Sequence, residues 1–323
     1  MRYRQLGKAG YAVSEIGHGL WGMGGWSGSD DKESAAALDL AAELGCTFFD
    51  SAHAYGNGRS DRLLGDLLER HRGHGLRAAS KIPPKNMKWP ADDADPLSAA
   101  FPMEHVLRGA EQIRKNLRVD CIDLLQFHVW SDAWARDEEW MRTVRKLKED
   151  GVIAAFGLSV NRWEPSNGIA TIRSGLVDVV QVIYNIFDQA PEDELFVICR
   201  SLNIGVIARV PLDEGSLGGK LTRATKFPES DWRSRYFCNE NLQLTMDRVE
   251  ALLPLVPAGM KLPEFALRFI LSNPIVSTTI IGMRRAEHVR ANIAASDGRL
   301  LDASLLGALR KHRWDRTPAE WSR

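Results

Sequence analysis

Residues 122–160 read IDLLQFHVWSDAWARDEEWMRTVRKLKEDGVIAAFGLSV. Two short apolar runs, 122–128 (IDLLQFH) and 153–160 (IAAFGLSV), flank an amphipathic helical stretch over 139–150 that stops at Gly151. The runs are too continuously apolar for a sheet with one wet face, as expected of strands buried on both sides in a parallel sheet. The segment therefore reads as strand, helix, strand.

The same unit recurs outward in both directions. Further β-rich runs lie at 16–21 (IGHGLW), 47–52 (TFFDSA), 76–81 (LRAASK), 179–185 (VVQVIYN), 205–210 (GVIARV) and 278–283 (TTIIGM). Helical stretches are expected over 33–44 before Gly45, over 103–117 behind Pro102, and over 192–202 after Pro191. Eight alternations of strand and helix predict an α/β fold of the (β/α)8 TIM-barrel type over a doubly wound sheet, with residues 1–323 forming a single barrel domain. Tyr3–Leu6 and Ala12–Ile16 read as an N-terminal β-hairpin that plugs the end opposite the site. Two connections are long, 82–102 with its five prolines and 211–262. Both follow strands, which puts long loops on the C-terminal face, where barrels build their sites.

Composition narrows the function. The 323 residues carry 42 Lys+Arg against 42 Asp+Glu, so the charge footprint of a nucleic-acid or anionic-membrane binder is missing. No apolar run approaches the roughly 20 residues that span a bilayer, and MRYRQLGKAGY lacks a signal-peptide core, so the expectation is a cytoplasmic protein. Cys46, Cys121, Cys199 and Cys238 are scattered without CxxC or Cys/His pairing; buried free thiols are expected, and no metal site.

Gly17-His-Gly19-Leu-Trp-Gly22 spells the GxGxxG of dinucleotide-binding folds. That fingerprint needs a helix opening on its third glycine, so that the helix N-terminus faces pyrophosphate. Here MGGWSGSDD intervenes and no helix can begin before about residue 30. The match is rejected.

Four polar residues stand where strands end: Asp50 closes TFFD, Lys81 closes RAASK, His128 closes LLQFH, and Tyr55 follows Asp50 in the loop AHAYGNG. Each alone suits a cap, a solvated strand end, a core histidine or a packing ring. Together, on adjacent strands of a barrel, they can converge. A lysine ammonium at about 4 Å could favour tyrosinate by about 4 kcal/mol at an effective dielectric of 20, drawing down a phenol pKa of about 10. Asp50 would keep Lys81 charged and oriented, and His128 could bond a carbonyl oxygen. Such a set protonates a forming alkoxide, which is general acid catalysis. None of the four is placed like a triad nucleophile, so an external hydride donor is the natural complement.

At this point the sequence resembles the aldo-keto reductase family, of the bacterial NADPH-dependent type. FFDSAHAYG resembles its Asp-and-Tyr signature, ASK its lysine strand and IDLLQFH its histidine strand; GLSVN (157–161), VVQVIYN (179–185), VPLDEGSLGGKL (210–221) and IIGMRRAEHVRAN (280–292) add to the match. The resemblance implies an oxidoreductase that binds NADPH without a Rossmann fold and reduces aldehydes or ketones to alcohols. Tyr55 would donate the proton, Lys81 and Asp50 would tune it, and His128 would orient the carbonyl. By the same matching, Gly19, Leu20, Trp21 and Asp50 would approach the nicotinamide ribose, and Ser159 and Gln181 the carboxamide. Pro211, Leu212, Gly215 and Lys220 would lie along the pyrophosphate, with Gly282, Arg284, His288 and Asn292 at the adenosine end. Arg284 offers a planar fork to a 2′-phosphate, which favours NADPH over NADH. The family usually has an aromatic ring at the position of Arg209; a guanidinium could stack on the nicotinamide in its place, although its charge suits an oxidised, cationic ring poorly.

Trp26, Trp89 and Trp130 each follow a strand end and are candidates for the substrate pocket, with Trp232, Tyr236 and Phe237 as its cover. Asn57, Asn86, Asp132 and Arg235 among these aromatics would suit a hydroxylated, sugar-like carbonyl compound. The partner expected is a small carbonyl substrate rather than nucleic acid or membrane, with the oligomeric state unread. Two other readings stay open: a cofactor-binding regulatory subunit with negligible turnover, and a barrel lyase forming a Schiff base on Lys81.

Overall fold

A computed structural model describes residues 1–26, 28–238 and 240–316. Its strands are β1 (Tyr3–Gln5), β2 (Ala12–Ser14), β3 (Ile16–Gly19), β4 (Phe48–Asp50), β5 (Arg77–Ile82), β6 (Ile122–Phe127), β7 (Ile153–Ser159), β8 (Val179–Ile183), β9 (Gly205–Arg209) and β10 (Thr278–Gly282). The last eight close into a parallel barrel in the order β10-β3-β4-β5-β6-β7-β8-β9. The eight apolar runs all appear; seven are trimmed by one to three residues, and the run at 76–81 is shifted one residue on, to Arg77–Ile82.

Side chains alternate along a strand, and that period of two builds the barrel interior in storeys. The lowest storey is apolar: Phe48, Ala79, Leu124, Ala155, Val179, Ile207 and Ile280, one from each of seven strands, form a single buried cluster. Leu6 and Val13 of the β1–β2 hairpin complete it from below. The hairpin is therefore a plug, as its position in the chain suggested. Its turn lies so close to the start of β9 that a Cβ on Gly7 (φ +52°) would stand 2.0 Å from the Gly205 nitrogen. Two residues further along each strand, the next inward storey holds Asp50, Lys81, Gln126, Gln181 and Arg209. Polar groups thus begin directly above the apolar floor.

The helices follow their local signals. Helix Met103–Leu117 starts behind Pro102, and helix Glu138–Glu149 is capped by Asp137, whose side chain accepts from the Glu139 N–H at 2.8 Å. Helix Asp31–Glu43 begins well after the β3 glycines, capped by Asp30, consistent with rejecting a dinucleotide fingerprint. The expected 192–202 helix starts late, at Leu195, because Pro191 sits in a 3-10 turn. The long 211–262 connection contains helix Asn241–Leu252, whose buried Leu242, Thr245, Met246, Val249 and Leu252 repeat at helical spacing. Among the described residues no helix is long and apolar enough to cross a membrane. All four cysteines are free, but only Cys46 and Cys199 are buried; Cys121 is exposed and Cys238 half-buried.

Trp130 is not a pocket residue. Its ring is fully buried among Phe101, Phe127, Trp134 and Trp140, and its Nε1–H donates to Thr171 Oγ1 at 2.8 Å. It lies beyond Phe127, the last residue of β6, where strand alternation no longer sets its direction, and it turns outward, under the helices. Asp132, also expected near substrate, accepts from the backbone N–H groups of Ala170 and Thr171 instead. Trp130→Ala is expected to lower the unfolding free energy by about 3–5 kcal/mol in denaturant titrations while leaving the retained activity of the folded fraction unchanged. A selective loss of activity without that destabilisation would return the residue to the pocket wall.

Candidate active site

Asp50 and Lys81 come from neighbouring strands and are both buried. Lys81 Nζ donates to Asp50 Oδ2 at 2.5 Å and to the Ser51 carbonyl at 2.7 Å. The other carboxylate oxygen, Oδ1, accepts from Gln181 Nε2 at 2.9 Å and from Gln126 Nε2 at 3.2 Å. Burial opposes the ammonium, but Asp50 and Tyr55 outweigh it and hold the Lys81 pKa above its ordinary value. Gln126 escaped the sequence reading, although the signal was there: it precedes His128 by two within the run 122–128, and alternate residues of such a run share a face.

Tyr55 sits on the turn after β4, where its N–H reaches the Ala52 carbonyl at 2.9 Å. The turn is pressed against the loop after β3: a Cβ on Gly56 (φ +64°) would lie 2.1 Å from the Gly24 carbonyl oxygen. Lys81 Nζ stands 5.2 Å from the centre of the Tyr55 ring, and the His128 ring 5.6 Å away in edge-to-face contact. All four residues expected to converge do so.

The electrostatics differ from the expectation in one respect. Lys81 and Arg209 do favour tyrosinate, but burial is stronger and Asp50 adds to it, so the Tyr55 pKa lies above its ordinary value. Close pairing with Asp50 cancels much of the field Lys81 would exert. The phenol is therefore held protonated. His128 is pushed well below the usual imidazole range by burial and by the Lys81 and Arg209 charges, and stays neutral at pH 7. Its Nδ1 is buried without a hydrogen-bond partner among the described residues.

Tyr55 and His128 open into a cavity of about 230 Å³ lined also by Trp89, Ser159, Asn161, Arg162, Gln181 and Arg209, with Asp50 and Lys81 buried behind them. Trp89 meets the His128 ring at 4.7 Å and Trp26 meets Tyr55 at 6.2 Å, with Trp21 beside Trp26 at 5.4 Å. Trp232 packs against Trp21 at 6.3 Å, whereas Tyr236 and Phe237 are buried beneath it. Arg162 is a second residue missed from sequence: it pairs with Glu214 at 2.8 Å and lies over the rings of Trp232 and Tyr236. Asn86 turns to Asp95, at 3.0 Å, not to the cavity, which removes support from a sugar-like substrate.

The remaining candidates lie around the same barrel mouth. Gly19 pairs in register with both Asp50 and Gly282, and the Leu20 N–H donates to the Asp50 carbonyl at 2.9 Å. Ser159 stands opposite Gln181. After β9, Val210, Asp213, Glu214 and Gly215 all have positive φ, so the Pro211–Leu212 backbone is sharply folded. Lys220, Arg284 and Arg285 act together on His288, whose pKa burial and these cations lower. Arg284 lies along Gly22, and Asn292 is buried on helix Ala286–Ala294. An orphaned imidazole nitrogen at the cavity and a cationic rim beside it suit a polyanionic dinucleotide that ends in a reactive ring.

Comparison with known proteins gives the same direction. The Bacillus subtilis (strain 168) protein named "Uncharacterized oxidoreductase YqkF" is 28% identical over 97% of this chain and 96% of its own length. A probable voltage-gated potassium channel subunit beta from Oryza sativa subsp. japonica is 27% identical, with 92% of each chain covered. The NADH-specific methylglyoxal reductase of Escherichia coli (strain K12) is 26% identical over 94% of this chain and 96% of its own. The glycerol dehydrogenase AKR11B4 from Gluconobacter oxydans shares the fold, with a TM-score of 0.79 at 24% identity over 96% of this chain and 94% of that one. The family model described as the aldo/keto reductase family matches residues 15–313, and the chain belongs to that family.

Proposed function

We propose that this protein reduces an aldehyde or ketone to an alcohol with NADPH, Tyr55 being the proton donor. The observation that carries the reading is a protonated tyrosine and a neutral histidine facing one cavity, with a charged lysine buried against the tyrosine ring. The cofactor, when bound, supplies a hydride to the carbonyl carbon. The neutral His128 holds a donor for the carbonyl oxygen. Tyr55 Oη gives that oxygen its proton as negative charge develops there, and the Lys81 ammonium then steadies the tyrosinate left behind. Asp50, gripped by three donors, keeps Lys81 from drifting. Trp26 and Trp89 flank Tyr55 and His128 as pocket walls. Ser159 and Gln181 suit a carboxamide, and the Lys220, Arg284 and His288 rim suits phosphate groups.

A Schiff base on Lys81 fits poorly. Its nucleophile is a neutral amine, whereas this ammonium has a raised pKa and two strong acceptors. The potassium channel relative keeps a nucleotide-sensing subunit in view, and oxidation of bound NADPH by a panel of reactive aldehydes separates the two: no single turnover despite tight binding favours the sensor.

Tyr55→Phe is expected to leave NADPH affinity, read by tryptophan fluorescence, within about twofold while lowering kcat by about 10²–10⁴-fold. Equal losses of both would disprove the division of roles. In the apoprotein, an ultraviolet titration compared with Tyr55→Phe should show no extra phenol ionising below the ordinary tyrosine range; a step near neutrality would reverse the electrostatic account. Arg284→Ala should weaken NADPH by about 10–100-fold and NADH little, since one charge-assisted contact to phosphate is lost. An equal effect on both nucleotides refutes that contact.

A further inference from the structure

Arg209 ends β9 on the inward face and lines the cavity with Tyr55, His128 and Gln181. Its Nη2 donates to the Val160 carbonyl at 3.0 Å, and its Nε is buried with no partner among the described residues. The other charges around the cavity are matched. Lys81 pairs with Asp50 and Arg162 with Glu214, while Asp188 and Asp213 both turn to Arg316. Among the described residues, Arg209 has no carboxylate within ion-pair reach. Burial, and then Arg162, push its pKa down to about 10, which still leaves it charged at neutrality.

Resting on the reading that a nicotinamide dinucleotide binds here, we propose that the Arg209 charge makes the site hold the reduced cofactor and expel the oxidised one. The reduced ring is neutral and the oxidised ring carries a positive charge. When a hydride and its electron pair go to the carbonyl carbon and the Tyr55 proton goes to the oxygen, the ring is left cationic. A ring able to reach a carbonyl beside Tyr55 must enter the same cavity of about 230 Å³, so it cannot escape the field of Arg209. In a poorly hydrated space that repulsion is weakly screened. Two consequences oppose each other. Release of the used cofactor is hastened, while each tenfold preference raises the potential of the bound two-electron couple by about 30 mV, weakening its on-site reducing drive. Arg209 thus favours turnover through exchange of cofactor.

The test is fluorescence titration of the full chain with NADPH and NADP⁺, and with NADH and NAD⁺, in the native protein, R209Q, R209M and R209K, each checked for a cooperative melt. The native protein should bind the reduced form at least about tenfold more tightly. The neutral variants should bring the ratio within about threefold, and R209K should retain it. A native ratio near one, a ratio unchanged in both neutral variants, or a loss in R209K equal to that in R209Q overturns the proposal; the last would assign the preference to planar stacking. Because the charge difference lies in the ring, the ratio should appear in both nucleotide pairs. A protein that prefers NADH therefore corrects the phosphate contact and leaves this inference standing. Failure of every dinucleotide to bind removes the cofactor reading and this one with it.

Discussion

A carboxylate and an ammonium, buried in direct contact inside a barrel, constrain everything around them. Removing either ion from water costs several kcal/mol even after relaxation, and mutual attraction offsets that only when the remaining hydrogen-bonding capacity is filled. Asp50 has three donors and Lys81 has two acceptors, drawn from strands β4, β5, β6 and β8 and from the turn at Ser51. Each partner is held by a different part of the barrel wall, so the pair cannot shift without breaking several bonds. That rigidity is passed to Tyr55, whose ring lies under the Lys81 ammonium, and from it to His128 in edge-to-face contact.

The storeys of the barrel explain how such a pair is tolerated. Below it, the apolar layer from Phe48 to Ile280, closed by Leu6 and Val13, excludes water from the opposite end. Above it, the wall is polar and opens to the cavity. A buried charge at the floor would be stranded, and one at the rim would be diluted by solvent. Placed between them, Lys81 is dry enough for its field to act on neighbouring rings and close enough to polar strand ends to be satisfied.

The sequence made the fold legible because each strand of a buried parallel sheet is a short apolar run followed by an abrupt polar residue. FFD, ASK and QFH are the same event on three strands: the chain passing from floor to cavity. What escaped was what that one-dimensional pattern cannot carry. Gln126 was hidden inside an apolar run, though its parity with His128 marks it as inward. Trp130 shares that parity, but the strand has ended at Phe127, so alternation no longer governs its direction and it joins the aromatic layer under the helices. Arg162 lies in a loop, and its place depends on Glu214, far along the chain. The direction of the Tyr55 pKa was misjudged because a lysine's field was weighed without the burial and the paired carboxylate that reduce it.

The loop after β9 applies the same logic to backbone strain. Val210, Asp213 and Glu214 occupy the left-handed region, where non-glycine residues cost of order 1–3 kcal/mol each, and for branched Val210 the conformation is a marked departure. Such a run persists only if its surroundings hold it. Asn185 Nδ2 donates to the Val210 carbonyl at 3.1 Å, Arg162 holds Glu214, and Arg316 reaches Asp213 at 2.7 Å while also bonding Asp188 and the Tyr236 hydroxyl. Arg316 arrives from the end of the described chain, which folds back over the barrel mouth as the Trp314 N–H meets the Phe187 carbonyl at 2.8 Å. The contorted loop is therefore held by a residue more than a hundred positions away, and through Glu214 and its partner Arg162 it reaches the cavity wall.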